Sequence, residues 1–301
     1  MKILHILYSG LGGSYNVVET LISKSNPDID NITLYVGPKL NSDLFLKNKK
    51  KKRDLYFVRT KRFFSQFFFF QVLKKIKKIS PDIIVLHNFQ IFACFIAKVF
   101  FKINIIYVDH NAIMVKNFKD YLVLLFSKLF VSHYICLNGD NKSYLIKNIL
   151  IKKNKVSVIS NGISLLKIKN KKKNSILKIG MAARMNNKRM HKLILKTLFN
   201  LNQKNHKIIC YFAGDGENKK ELMRIVRENK IKNIKYDGNL NANELSKWYK
   251  KLDLYIQASK GEGCSMAILE AISNGTPFIG SNVSGIKNLK FLYKRKILFD
   301  N

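Results

Sequence analysis

Residues Gln257 to Gly285 read QASKGEGCSMAILEAISNGTPFIGSNVSG, and the fold is decided in this stretch. The apolar run that ends at Gln257 has the length of a buried strand. A glycine-punctuated loop follows, then a helix-period run over Ser265–Ser273. Asn274-Gly275 breaks the helix, and a second short apolar run fills Pro277–Gly280. Strand, helix and strand in roughly 30 residues is the repeating unit of a parallel sheet.

The alternation continues outward on both sides. Before this stretch, strands are expected at Leu177–Met181, Lys207–Ala213, Ile234–Tyr236 and Leu254–Gln257. Helices are expected between them at His191–Asn202, Glu217–Asn229 and Ala242–Lys250. Lys167–Asn174, KIKNKKKN, is almost wholly charged or polar and reads as a linker. Beyond it the pattern repeats, with strands at Lys2–Tyr8, Ile32–Val36, Leu55–Val58, Ile83–Leu86, Asn104–Val108, Tyr134–Leu137 and Val156–Ile159. Helices there are expected at Ser14–Ser25, Phe67–Ile79, Phe89–Phe101, Tyr121–Phe130 and Asn141–Ile149. The expectation is an α/β chain with two Rossmann-like, doubly wound domains, at 1–166 and 176–301, joined by 167–175. Their ligand would lie in a cleft facing the carboxyl ends of both sheets.

Composition narrows the class. With 301 residues, 47% hydrophobic, 21 Phe and 13 Tyr, the chain can bury real cores despite a net charge of +36, which excludes global disorder. Cys94, Cys136, Cys210 and Cys264 stand singly, without a metal or disulfide pattern, and fit a reducing compartment. MKILHILYSGLGG is a first strand entering a glycine loop rather than a signal peptide. The longest apolar stretch, Phe89–Phe101, is broken by Gln90 and Lys98, whereas a membrane span needs about 20 apolar residues. A cytoplasmic location is expected, with peripheral contact to the inner membrane face as an extension.

The positive charge is carried mostly by Lys. It fits three sources: drift of an AT-rich coding sequence, an anionic membrane surface, or a phosphorylated substrate. Nucleic acid is set aside, because Arg is rare and no nucleic-acid motif appears. Arg62–Ile79, RFFSQFFFFQVLKKIKKI, reads either as a core helix with a solvated Lys face or as an interfacial patch.

Two carboxylates frame the informative stretch, Glu262 in the loop and Glu270 in the helix, with seven residues between them. The amides of Gly263, Cys264, Ser265 and Met266 would sit at a helix N-terminus, an anion site suited to a diphosphate. Glu270 would then accept hydrogen bonds from vicinal hydroxyls, unless it is only a surface carboxylate. Asp28-Ile29-Asp30 spells a metal-transferase triplet but lies in a turn without supporting context. Gly10–Gly13 falls short of a dinucleotide fingerprint. His5, His87, His133 and His191 are single histidines in or beside apolar runs and read as structural, with His87, at a strand end, the exception to watch.

The stretch resembles the E-x7-E signature of retaining GT-B glycosyltransferases of family 4, glycosyltransferase group 1. EG…EA…NGTPFIGSNVSG is similar to that family's motif order. SGLGGS (Ser9–Ser14), YVDHN, KVSVISNGI, IGMAAR with Lys188, FAGDG and DGNL also resemble its segments in order. The resemblance implies sugar transfer from a nucleotide diphosphosugar to a surface-glycan or lipid-linked acceptor, with neither cofactor nor metal. A non-catalytic relative that binds a nucleotide or glycan is the alternative. It further implies Glu262 against donor-sugar hydroxyls, Glu270 against the ribose, and His110 at the reacting face. Arg184 and Lys188 would stabilise the leaving diphosphate, while Gly12, Gly13 and Gly214 would let backbone approach the ligand. The family spaces its Lys five residues after the Arg. Here Lys188 stands at four and Arg189 at five, and both are candidates for the phosphate. Cys264 and Ser265 replace an aromatic and a Gly, and Asn288 stands where the family usually has Glu. The chain ends at Asn301, where family members generally continue, so a short C-terminus is expected.

Overall fold

The computed structural model describes residues 1–9, 13–38, 54–60, 66–87, 91–113, 116–163, 175–204, 206–289 and 298–300. The chain divides into two compact units, Met1–Asn161 and Gly162–Asn301. Residues 164–174, where the linker is expected, lie outside the described residues, as do Gly10–Gly12 and 61–65.

The first unit runs β1 (Lys2–Tyr8), α1 (Gly13–Ser23), β2 (Asp30–Gly37), β3 (Leu55–Arg59), α2 (Gln66–Ile79), β4 (Ile83–Leu86), α3 (Ile91–Phe101) and β5 (Asn104–Asp109). It continues with α4 (Phe118–Ser127), β6 (His133–Cys136), α5 (Gly139–Lys147) and β7 (Val156–Val158). All seven strands pair in parallel in the order β3-β2-β1-β4-β5-β6-β7. The order reverses beside β1, whose Ile3 and Ile6 register with Ile83 and Leu86 of β4. Continuous apolar runs make such strands, because helices cover both faces of a parallel sheet. One face packs Leu4, Ile6, Leu34, Ile84 and Ile105 under Val72, Ile76 and Ala97, and the other packs Leu7 and Tyr35 against Tyr15, Val18 and Ile22 of α1.

The second unit runs β8 (Leu177–Ala182), α6 (His191–Gln203), β9 (Ile208–Ala213), α7 (Lys219–Glu228), β10 (Ile234–Gly238), α8 (Ala242–Lys251) and β11 (Leu254–Gln257). It ends with α9 (Met266–Ser273), β12 (Phe278–Ser281), α10 (Ser284–Lys287) and β13 (Leu298–Phe299). Its parallel sheet is ordered β10-β9-β8-β11-β12-β13, which repeats the winding of the first six strands of its partner.

Caps move some helix starts from their expected places. α4 begins at Phe118 rather than Tyr121, because Asn117 and Asp120 form a capping box there. α5 begins at Gly139 because the Asn138 side chain accepts from the Asn141 amide at 2.8 Å. α2 resolves the Phe/Lys segment into two faces. Val72, Ile76 and Ile79 are buried and Phe69 packs on the core, while Phe70, Lys74, Lys77 and Lys78 are exposed. Among the described residues, no helix is long and apolar enough to cross a membrane.

Candidate functional site

At the carboxyl end of the second sheet, the loops that leave β8 and β11 lie side by side. Met190 N donates to Ala258 O and Lys260 N to Lys188 O, both at 3.0 Å, and Arg189 and Ser259 form an antiparallel bridge. This pairing turns the Arg189 side chain inward. Its Nη1 donates to Ser259 Oγ at 2.7 Å and forms an ion pair with Glu262 Oε1. The same Oε1 accepts from Gln257 Nε2 at 3.0 Å and Ser259 Oγ at 3.2 Å. Gln257 is held in turn, because its Oε1 accepts from the buried Tyr255 hydroxyl at 2.5 Å. Glu262 Oε2 makes no hydrogen bond or ion pair among the described residues. The result is a carboxylate fixed by three donors on one oxygen, its side chain 12% exposed and its charge matched by Arg189.

Glycines hold the loops at this distance. Gly285 N donates to Glu262 O at 3.1 Å, and a Cβ on Gly285 would stand 2.3 Å from that oxygen. Gly214, just beyond β9, has φ +117, and a Cβ there would stand 2.3 Å from Ala183 O. Side chains at either position would push the loop out.

α9 starts directly behind this cluster. Ser265 is its N-cap, and the first-turn amides of Met266 and Ala267 point away from the helix without intrahelical partners. Glu270 follows one turn later, with the Tyr249 hydroxyl donating to its Oε2 at 3.2 Å. Burial, reinforced by Tyr255 and Glu270, pushes the Tyr249 hydroxyl well above its usual range, so it stays a proton donor. The structure therefore brings Glu262, Gly263, Cys264, Ser265, Met266 and Glu270 into one loop and helix start, with Arg189 beside them, while Gly214 packs against Ala183 at the end of β8. Arg184 and Lys188 are exposed on the loop after β8.

In the first unit, Gly13 opens α1, and Gly12 lies outside the described residues. His110 stands one residue past β5. Its Nε2 is 2.9 Å from His87 Nδ1, and His87 Nε2 is 3.1 Å from His5 Nδ1. Burial lowers His5, drives His87 well down with help from its two neighbours, and brings His110 to about 4, so all three are neutral at pH 7. The adjoining Asp109 accepts from Lys116 Nζ at 2.5 Å and Asn141 Nδ2 at 3.0 Å, which pins the start of this loop. Burial nonetheless pushes the Asp109 carboxyl up, against the pull of Lys116. Asp28 lies in a turn and Asp30 opens β2. Among the described residues, no group of three or more His, Cys, Asp or Glu is placed to hold a metal ion.

Gln257 and Ser259 escape a motif search. Their one signal is a polar pair that closes an otherwise apolar strand, YIQAS.

Residues 32–166 match the model of Glycosyltransferase Family 4, and residues 164–301 match that of Glycosyl transferases group 1. The chain belongs to this GT-B glycosyltransferase family. A 110-residue stretch of this family member is 36% identical to Protein CapJ of Staphylococcus aureus, covering 35% of the chain and 28% of CapJ. Over 91 residues the chain is 32% identical to the O-antigen biosynthesis glycosyltransferase WclY of Escherichia coli, covering 30% of the chain and 24% of WclY. The matches thus span about a quarter of these curated relatives. Among solved structures, Anabaena HepE in complex with UDP and glucose superposes with a TM-score of 0.79 at 16% identity, over 100% of the chain and 86% of HepE. S. aureus TarM in complex with UDP superposes at 0.75 and 12% identity, over 100% of the chain and 90% of TarM. At these identities the likeness shows the fold.

Proposed function

We propose that this family member transfers a sugar, with retention and without a metal, from a nucleotide diphosphosugar to a surface-glycan or lipid-linked acceptor. The observation that carries the reading is the Glu262 carboxylate, fixed through Oε1 by Arg189, Gln257 and Ser259 in front of the α9 N-terminus. Its second oxygen would accept from donor-sugar hydroxyls. The diphosphate would take the first-turn amides of α9 and the charges of Arg184 and Lys188, and Glu270 would hold the ribose. Negative charge grows on the leaving diphosphate as the glycosidic bond breaks. Positive groups fixed there bind the transition state more tightly than the ground state, which is what lowers the barrier. UDP is the nucleotide of choice, since it is the one bound in HepE and TarM. Work would take place at an anionic membrane surface, met by the exposed Lys74, Lys77, Lys78 and Phe70 of α2.

Calorimetry with UDP and GDP, followed by donor turnover with and without EDTA, tests this reading. UDP binding, sugar release that survives EDTA, and an axial or equatorial anomer kept through transfer are expected. Absence of nucleoside diphosphate binding overturns it, and binding without turnover leaves a nucleotide-binding relative.

A further inference from the structure

The three histidines of the first unit form a line with a readable direction. It starts at Asn31 in β2, whose Oδ1 lies 3.1 Å from His5 Nε2. The orientation of that amide is fixed by its other end. Asn31 Nδ2 donates to Ile29 O at 3.2 Å and to Ser25 Oγ at 2.9 Å, and the Ser25 hydroxyl is itself spent on Ile22 O at 2.9 Å. Turning the amide over would set its oxygen against a carbonyl. Oδ1 therefore faces His5 and needs a donor there, so His5 carries its proton on Nε2.

The rest follows ring by ring. A neutral imidazole has one N–H and one lone pair. His5 Nδ1 is then an acceptor and takes the proton of His87 Nε2 at 3.1 Å. His87 Nδ1 is likewise an acceptor and takes the proton of His110 Nε2 at 2.9 Å. An added proton on His5 or His87 would set two N–H groups against each other, and burial already disfavours the charge along the line. The line begins at an amide oxygen, which takes up no proton at neutral pH. It orients rather than conducts.

At its far end, His110 is only partly buried, and its Nδ1 makes no hydrogen bond among the described residues. We propose that Asn31, His5 and His87 are positioning residues that hold His110 as a neutral tautomer with its Nδ1 lone pair presented to a hydroxyl of the sugar substrate. The identity of the ligand rests on the transferase reading, and the tautomer does not. Through Nδ1, His110 accepts a hydrogen bond from a hydroxyl and has no proton to donate to the leaving diphosphate.

Long-range 1H–15N correlation spectra of the full chain at pH 7, with 15N-labelled histidine, read the tautomer directly. The His110 signals, identified by their loss in His110→Ala, are expected to show a protonated Nε2 and a bare Nδ1. His87→Gln keeps one donor and one acceptor and should preserve that pattern. His87→Leu, or Asn31→Leu if the first does not fold, should give a mixture of tautomers. In turnover of a UDP-sugar, His87→Leu should lower kcat by about tenfold, the scale of one well-aligned hydrogen bond, with UDP affinity unchanged and His87→Gln largely restored. A His110 proton on Nδ1 in the wild type, or a tautomer indifferent to both leucine variants, overturns the proposal. A wild type with the expected tautomer but no sugar turnover upholds the positioning line and counts against the transferase reading alone.

Discussion

The two sheets are wound alike and gather their polar groups at corresponding places, yet the chemistry they gather is opposite. In the first unit, His5 of β1, His87 past β4 and His110 past β5 make an uncharged line that ends on an amide. In the second, Arg189 past β8 and Gln257, Ser259 and Glu262 at and past β11 make a charged cluster. Both sit where the strand order reverses, the position at which doubly wound sheets bind ligands. Neutral groups can be buried once each is hydrogen-bonded, and His5 and His87 are 3% and 1% exposed. Charged groups keep some contact with water and need a partner, and the Arg189 and Glu262 side chains are 25% and 12% exposed. The winding sets the place, and the side chains decide whether that place holds charge.

Arg189→Ala should break the contrast most deeply. Loss of the ion pair releases Glu262, and kcat/KM for a UDP-sugar is expected to fall by on the order of 10²–10³. Arg184→Ala and Lys188→Ala should cost less and act mainly on kcat. Equal losses at the three positions in steady-state kinetics would show that the cluster is not organised around one pair. Glu270→Ala is the next largest change. Calorimetry should find UDP binding weakened by about 2 kcal/mol, and an unchanged Kd in a folded variant would remove Glu270 from the site.

Stability against pH sharpens the comparison from the other side. An unfolded histidine takes up its proton near pH 6.5, but folded His110 and His191 do so only near 4. Between those values the unfolded chain binds more protons, so stability should fall as pH drops from about 6.5 toward 4 and level off below. Each such group contributes at most about 1.4 kcal/mol per pH unit. Thermal melts should show a shallower slope in His191→Leu, and a slope indifferent to that change would refute the assignment. The smallest effect belongs to α2. Changing Lys74, Lys75, Lys77 and Lys78 to Gln should weaken co-sedimentation with phosphatidylglycerol vesicles by about 1 kcal/mol per Lys, in a salt-dependent way. Absence of wild-type binding at low salt would end the membrane proposal without touching the sheets.

Much of the architecture was legible because parallel strands are short, continuous apolar runs with helices between them. β1, β4 and β11 begin and end where the sequence pattern places them. α10, with four residues, and β13, with two, are too short to show a period. Glu262, Glu270 and the amide-rich turn between them were readable from local spacing. The inward turn of Arg189 was not, since it depends on a bridge to Ser259, 70 residues away. His5 looked like a lone polar residue in an apolar strand for the same reason, as its ring partner is 82 residues distant. Periodicity reports what a segment buries and says nothing about which distant side chain it meets.

The strand order also sets a timetable for synthesis. β1 is made before both of its neighbours yet lies inside its sheet, between β2 and β4. One of its edges can pair once residues 30–37 are made, but the other stays open until residues 83–86 follow. A nascent chain between those lengths carries an apolar strand with one unpaired edge, the kind of template that invites association with a second copy. The second unit repeats the problem, since β8 waits for β11 at residues 254–257. The interval between a central strand and its later neighbour is therefore when one edge of that strand is open to pairing with a second copy.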